Sequence, residues 1–175
     1  MRKGFVEALA AAQIGDTFNQ YKDSELRRSR LRAYLEAREG AGILIVGEAA
    51  GYRGARVSGL PFTSERQLTG TGPAEATATI VHRVVMELGL EEQVLFLNVV
   101  PTHPHRLGEP RSNRRPTDAE VEAALPLLDE LSTGRGLIAV GRLAAAVLDA
   151  PYVRHPSRGG AREFRRGLVE LLVGG

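Results

Sequence analysis

Four short apolar runs, each ending in a loop that carries glycine or proline, constrain this chain more than any other feature. Ile43-Leu44-Ile45-Val46 opens into Gly47-Glu48-Ala49-Ala50-Gly51, and Val94–Val100 stops at Pro101. Gly136–Val140 turns at Gly141, and residues 152–154 lead into His155-Pro156-Ser157-Arg158-Gly159-Gly160. Helix-spaced stretches lie between these runs. Residues 75–88 place Ile80, Val81, Val84, Val85 and Leu88 on one side, and Gly89 ends them. Thr117-Asp118-Ala119-Glu120 is a capping box that starts a helix running to about Leu131. Arg142–Leu148 and Ala161–Leu172 follow as helices. Strands alternating with helices predict a parallel sheet covered on both faces. The expected fold class is therefore α/β: a three-layer α/β/α sandwich around a central, mostly parallel four-stranded sheet. In such a sheet the loops at the carboxyl ends of the strands meet at one crevice, where ligands bind. The first of those loops brings a carboxylate and the last an imidazole, which points to a reaction centre.

Upstream of the first run, residues 24–38 carry helical spacing through Leu26, Leu31, Tyr34 and Leu35, and Gly40 and Gly42 stop it. Residues 53–72 and 101–116 read as two long loops. Long loops inside a compact domain are usually functional, and both of these follow strands on the ligand side. At 175 residues the chain reads as one domain, 1–175, with residues 1–20 as a peripheral N-terminal helix. The N-terminal apolar stretch imitates a signal peptide, but Glu7 interrupts it. No run approaches the roughly 18 apolar residues of a membrane span. The chain has no cysteine. That removes disulfides, thiolate zinc sites and thiolate-held iron–sulfur clusters, and it fits a reducing cytoplasm.

Net charge is only +2 although the pI is near 9.3, so the even balance hides local clustering. Arg27, Arg28, Arg30 and Arg32 sit on the early helix and read as a solvated face. Arg106, Arg111, Arg114 and Arg115 share a proline-rich loop. Arg154, Arg158, Arg162, Arg165 and Arg166 surround His155. The guanidinium fork suits phosphate, so the two loop clusters make a nucleic-acid backbone the natural partner. His103 and His105 read as backbone-contacting or loop-structural residues rather than metal ligands, because no suitable carboxylate or thiol accompanies them.

Several blocks in this order resemble the uracil-DNA glycosylase superfamily, over roughly residues 43–164. Gly47-Glu48-Ala49-Ala50-Gly51 resembles its first catalytic motif, and Gly59-Leu60-Pro61-Phe62 the segment that supplies an aromatic under the base. Leu95-Phe96-Leu97-Asn98-Val99-Val100-Pro101 resembles the strand end whose asparagine reads the base edge. Leu137-Ile138-Ala139-Val140-Gly141 resembles the third core strand, and His155-Pro156-Ser157 the second catalytic motif. By this resemblance Glu48, Asn98 and His155 are the catalytic set. Gly47, Ala49, Gly51, Phe62 and Asn98 bind the base, and Arg114, Arg115, Ser157, Arg158 and Arg162 contact DNA. No metal and no organic cofactor is implied.

Each assignment has a physical content. Phe62 would stack on a flipped base, or else pack the core. Asn98 offers donors and acceptors to the O4 and N3 edge of uracil, or else ties a neighbouring loop. His155 would donate to O2 as negative charge builds on the leaving base, or else cap a turn. Glu48 would orient water or balance the cationic sugar. The chain departs from the best-known members at Ala49, where they carry Asp or Asn, and at Ala50, where they carry Pro. Glu at the second position resembles the iron–sulfur branch, whose four cysteines are missing here. Glu48 therefore has a second reading, as a pocket-floor residue. Gly51 stands where the most uracil-strict members place a tyrosine against the 5-methyl of thymine. That implies a broader pocket, or a gap filled by Tyr52 or a residue of the following loop. The segment after His155 has no leucine to push into the duplex, so Arg158 or Arg162 enters the stack, or intercalation is weak.

The leading reading is a monofunctional DNA glycosylase that hydrolyses the N-glycosidic bond of uracil, in single- or double-stranded DNA, and leaves an abasic site. A lyase step needs an amine, and Lys3 and Lys22 lie outside the crevice. A damage-sensing domain without catalysis and a hydrolase of free nucleosides are the alternatives. One domain with a DNA-facing crevice points to a monomer.

Overall fold

The computed structural model describes residues 4–173. Its sheet holds β1 (Ile43–Ala49), β2 (Val94–Val100), β3 (Gly136–Val140) and β4 (Tyr152–Val153) in the spatial order β2-β1-β3-β4. Every neighbouring pair is parallel. Helices α1 (Phe5–Ala11) and α2 (Glu25–Ala37) precede the sheet. Three helices, α3 (Ala55–Ser58), α4 (Glu65–Thr69) and α5 (Ala76–Glu87), join β1 to β2. Then α6 (Asp118–Ser132), α7 (Arg142–Leu148) and α8 (Ala161–Leu172) follow β2, β3 and β4 in turn.

The alternation of side chains along a strand divides the core into two layers. Leu44 and Val46 of β1 join α1, α2, α6 and α7 on one face. Ile45 of β1 and Phe96 of β2 join α5 and α8 on the other. Apolar residues on both parities are what a sheet buried on two faces needs. β2 is an edge strand, and its Phe96 N–H donates to the Tyr34 hydroxyl at 2.7 Å, so α2 covers that edge. Thr117 and Glu120 form the expected capping box at the start of α6.

Two expectations change. Residues 53–72 are not one loop but carry α3 and α4. These helices have 4 and 5 residues, too short for a helical period to show. Gly59 and Gly70, with φ of 82° and 76°, close them in the left-handed conformation. The N-terminal segment is not peripheral either. Phe5, Leu9 and Ile14 are buried within the layer shared with α2 and α6. Met1 to Lys3 of that segment lie outside the described residues. Among the described residues no helix is long and apolar enough to cross a membrane.

Candidate active site

The chain runs from β1 to β2 on one side and then crosses back to β3 on the other. The carboxyl ends of β1 and β3 therefore feed loops that diverge, which opens a crevice at the switch point. A cleft of about 650 Å³ lies there, and its walls include Glu48, Phe62, Glu75, Asn98, His155 and Arg158. A larger hollow of about 820 Å³ opens at the opposite end of the sheet, beside Glu39, Asp129 and Glu130, and it offers neither an aromatic face nor an amide.

Strand register builds the floor of the cleft. Gly47 pairs directly with Asn98. A side chain at Gly47 would run into the Phe62 ring and would lie 2.8 Å from Asn98 Oδ1. The glycine is thus required by the close approach of an aromatic face and an amide. Gly47 does not line the cleft itself; it lies beneath these two residues. Phe62 holds a left-handed backbone, φ 51°, and its ring meets Phe96 at 5.4 Å between centroids. It packs the core with one part of the ring and lines the cleft with another.

The Phe62 turn is held from several sides. Ser58 Oγ donates to Thr63 O at 2.6 Å, and the Tyr21 hydroxyl donates to Gly59 O at 2.9 Å. Arg27 Nε donates to Val57 O at 3.0 Å, and Arg30 pairs with Glu65 at 2.8 Å. The α2 arginines, expected as a solvated face, thus include two that clamp this segment. A sparsely populated backbone conformation persists only where its surroundings over-determine it, as here.

The three residues expected to be catalytic all face the cleft. Asn98 is 5% exposed, and among the described residues its amide has no hydrogen-bond partner. Glu48 is half-buried; desolvation raises its pKa above the ordinary 4.5, and the positive charge of Arg115 partly offsets this. Burial lowers the pKa of His155 below 6.5, so the ring is neutral at pH 7. Ser157 N–H donates to His155 Nδ1 at 3.2 Å, and Ser157 Oγ lies 2.8 Å from the same nitrogen. An accepting Nδ1 leaves the proton on Nε2, which makes the ring a neutral donor. Ser157 thus orients the imidazole as well as lining the cleft.

The expected DNA contacts divide. Arg158 lines the cleft with a left-handed backbone, φ 52°, and makes no side-chain hydrogen bond or ion pair among the described residues. Arg115 is exposed and acts on Glu48 through its charge, but it does not line the cleft. Arg162 is exposed on α8, away from the cleft wall. Arg114 departs from the expectation. Its fork grips the buried Glu120 carboxylate, with Nη1 to Oε2 at 2.7 Å, and its Nε donates to His105 O at 2.8 Å. Most of its donors are thus spent on the loop, although its side chain also lines the cleft. His103 is fully buried with Nδ1 2.8 Å from Ala50 O, which makes it structural. His105 stacks on it at 5.8 Å.

Of the cleft residues that escaped the sequence reading, three have polar side chains that matter here. Arg142 follows β3 and is unpaired. Asn113 Oδ1 accepts from Tyr52 N–H at 3.0 Å and ties the two long loops together. Glu75 is the third; it looked like any carboxylate at a helix start, and no local signal marked it. Among the described residues no group of three or more His, Asp or Glu side chains could hold a metal ion.

Comparison with known proteins bears on this geometry. The family model described as the uracil DNA glycosylase superfamily matches residues 36–171. The chain belongs to the uracil-DNA glycosylase superfamily. The crystal structure of wild-type Pedobacter heparinus SMUG2 resembles it with a TM-score of 0.69 at 13% identity, over 97% of each chain. At that identity the likeness speaks to the fold, and it agrees with the all-parallel sheet. No curated protein sequence matches the chain significantly. As a member of the superfamily, the chain carries a glycosylase fold whose first motif, Phe62 turn, asparagine strand and histidine loop converge on one cleft.

Proposed function

We propose that this superfamily member removes uracil from DNA by hydrolysis of the N-glycosidic bond, leaving an abasic site. The observation that carries the reading is Asn98: a nearly buried amide, without a partner among the described residues, beside the Phe62 ring in an open cleft. Such a group costs free energy unless something pairs with it, and a base edge supplies both a donor and an acceptor. A base held there must first leave the helical stack. Phe62 stacks on its face, and Asn98 pairs with its O4 and N3 edge.

The C1′–N1 bond then breaks, with the electron pair going to the base. His155 Nε2–H donates to O2 and stabilises that anion without transferring its proton. The Glu48 carboxylate faces the cationic sugar and takes a proton from the water that adds to C1′. The released base anion picks up a proton from solvent. Arg158 and Arg142, unpaired on the cleft rim, bind phosphates, and Arg158 is the side chain best placed to enter the vacated stack.

A second reading is a damage sensor without catalysis, and Ala49 favours it because a methyl lines the cleft where a water-activating side chain is expected. Release of labelled uracil from single-stranded DNA and from U:G, U:A and T:G duplexes separates the two. Abasic sites with wild type, strongly reduced in Glu48→Gln, Asn98→Ala and His155→Ala, support the glycosylase. Salt-sensitive DNA binding without any release supports the sensor.

A further inference from the structure

The cleft has a side wall that no motif predicts. Gly51 and Gly54 follow β1, and both face the same side chain, Glu75. A side chain at Gly51 would run into Glu75 Oε1. One at Gly54 would run into Oε2 and lie 2.8 Å from the carboxyl carbon. Neither glycine has a positive φ. The Glu75 carboxyl occupies the space that a side chain at either position would take.

Glu75 has no structural duty that accounts for this placement. It stands at the N-cap of α5, yet its side chain caps nothing there. Among the described residues it has no cation and no hydrogen-bond donor as a partner. It is instead open to the same cleft as Phe62 and Asn98. Desolvation alone raises its pKa above 4.5, as expected for a carboxyl without a partner. A half-buried carboxyl without a protein partner is open to pairing with whatever occupies the cavity.

We propose that Glu75 is a specificity-determining residue: its carboxyl is the side wall that Gly51 and Gly54 leave unbuilt, and it sets which bases the cleft admits. This rests on the base-binding reading of the cleft. A ring carrying an extra methyl toward that wall meets both a steric stop and a carboxyl that the methyl cannot pair. A ring with only C–H there leaves room for a bridging water.

The test compares kcat/KM for release from U:G and T:G duplexes by wild type, Glu75→Ala, Glu75→Gln and the double variant Gly51→Ala/Glu75→Ala. Glu75→Ala is expected to raise the thymine-to-uracil ratio roughly tenfold or more, the discrimination one methyl supports in a fitted pocket. Glu75→Gln keeps the shape of the wall and holds the ratio near wild type. Adding Gly51→Ala to Glu75→Ala puts a methyl into the vacated space and brings the ratio back down. An unchanged ratio in a folded Glu75→Ala protein overturns the assignment. Should that variant not fold, Glu75→Asp withdraws the carboxyl by one methylene and must move the ratio the same way. If wild type releases neither base, the glycosylase reading fails first, and binding of free uracil and thymine followed by saturation-transfer NMR decides the wall. Thymine binding gained by Glu75→Ala supports it. An unchanged preference overturns it, and binding of neither base removes pocket and wall together.

Discussion

Two sets of arginines on this molecule read alike in the sequence and behave oppositely in the fold. Arg27, Arg30 and Arg114 each direct a guanidinium at a backbone carbonyl or carboxylate of the site's own loops. Arg142, Arg158 and Arg162 find no protein partner among the described residues. The first set holds the Phe62 turn and the start of α6 in place. The second leaves its donors for something outside the chain. The same division runs through the acidic and amide groups: Glu120 and Glu65 are paired, whereas the Asn98 and Glu75 side chains have no partner among the described residues. Clustering of charge therefore says little about function here, and the partner of each charge says much more.

The comparison predicts its largest effect at the unpartnered groups. His155→Ala and Asn98→Ala should each lower kcat/KM for uracil release by roughly 10²–10³-fold, the usual loss when one transition-state donor is removed. Their melting temperatures should stay close to wild type, because neither side chain supports another part of the fold through a hydrogen bond beyond the Ser157 turn. A large drop in stability in either variant would place that residue with the scaffold instead.

The paired set predicts the reverse. Arg114→Ala leaves the Glu120 carboxylate buried without its cation, and should cost about 3 kcal/mol of unfolding free energy by denaturant titration. Arg114 also lowers the Glu120 pKa below 4.5. A carboxyl whose folded pKa is depressed contributes stability that is present above 4.5 and lost as pH falls through the folded value. That acid-induced loss should be smaller in Glu120→Gln than in wild type. Arg158→Ala, taken from the other set, should leave both the stability and its acid limb unchanged.

How much of this was legible from the residues depended on the reach of each signal. The strands, the capping box at Thr117 and the helix Ala161–Leu172 were readable because periodicity and caps are local. The place of Asn98, Phe62 and His155 on one cleft was readable because each sits in a short ordered block. The ion pair of Arg114 was not readable, because a loop arginine looks free until the buried carboxylate six residues on is seen to fold back onto it. Glu75 was silent because its role depends on two glycines more than twenty residues away, which no local pattern records. The short helices α3 and α4 were missed because one turn carries no period.

A smaller effect distinguishes the two sets by salt. Each phosphate contact removed should reduce the slope of log K against log salt by about 0.7–0.9, for single- and double-stranded DNA respectively. Arg142→Ala and Arg158→Ala should each show that reduction. Arg27→Ala should leave the slope alone even where it weakens binding by loosening the Phe62 turn. Equal slopes for wild type and both rim variants would remove them from the DNA interface.

The smallest effect concerns Arg115, which belongs to neither set, since it acts on Glu48 through space. The proposed chemistry needs Glu48 ionised, and burial has moved its pKa above 4.5, so the acid limb of kcat/KM should lie above the ordinary carboxylate range. His155 is shifted the other way, below 6.5, by burial. Arg115 favours the carboxylate form, so Arg115→Ala should move the limb to higher pH. The move should be a few tenths on the pH scale, because an exposed charge is worth about 0.2–1 kcal/mol and one pKa unit about 1.4 kcal/mol. Removing a positive charge would also raise the pKa of a nearby imidazole, so the direction alone does not name the titrating group. Glu48→Gln does: whatever activity remains should have lost the acid limb. A limb that persists in that variant would assign the titration to His155 and return Glu48 to the pocket floor.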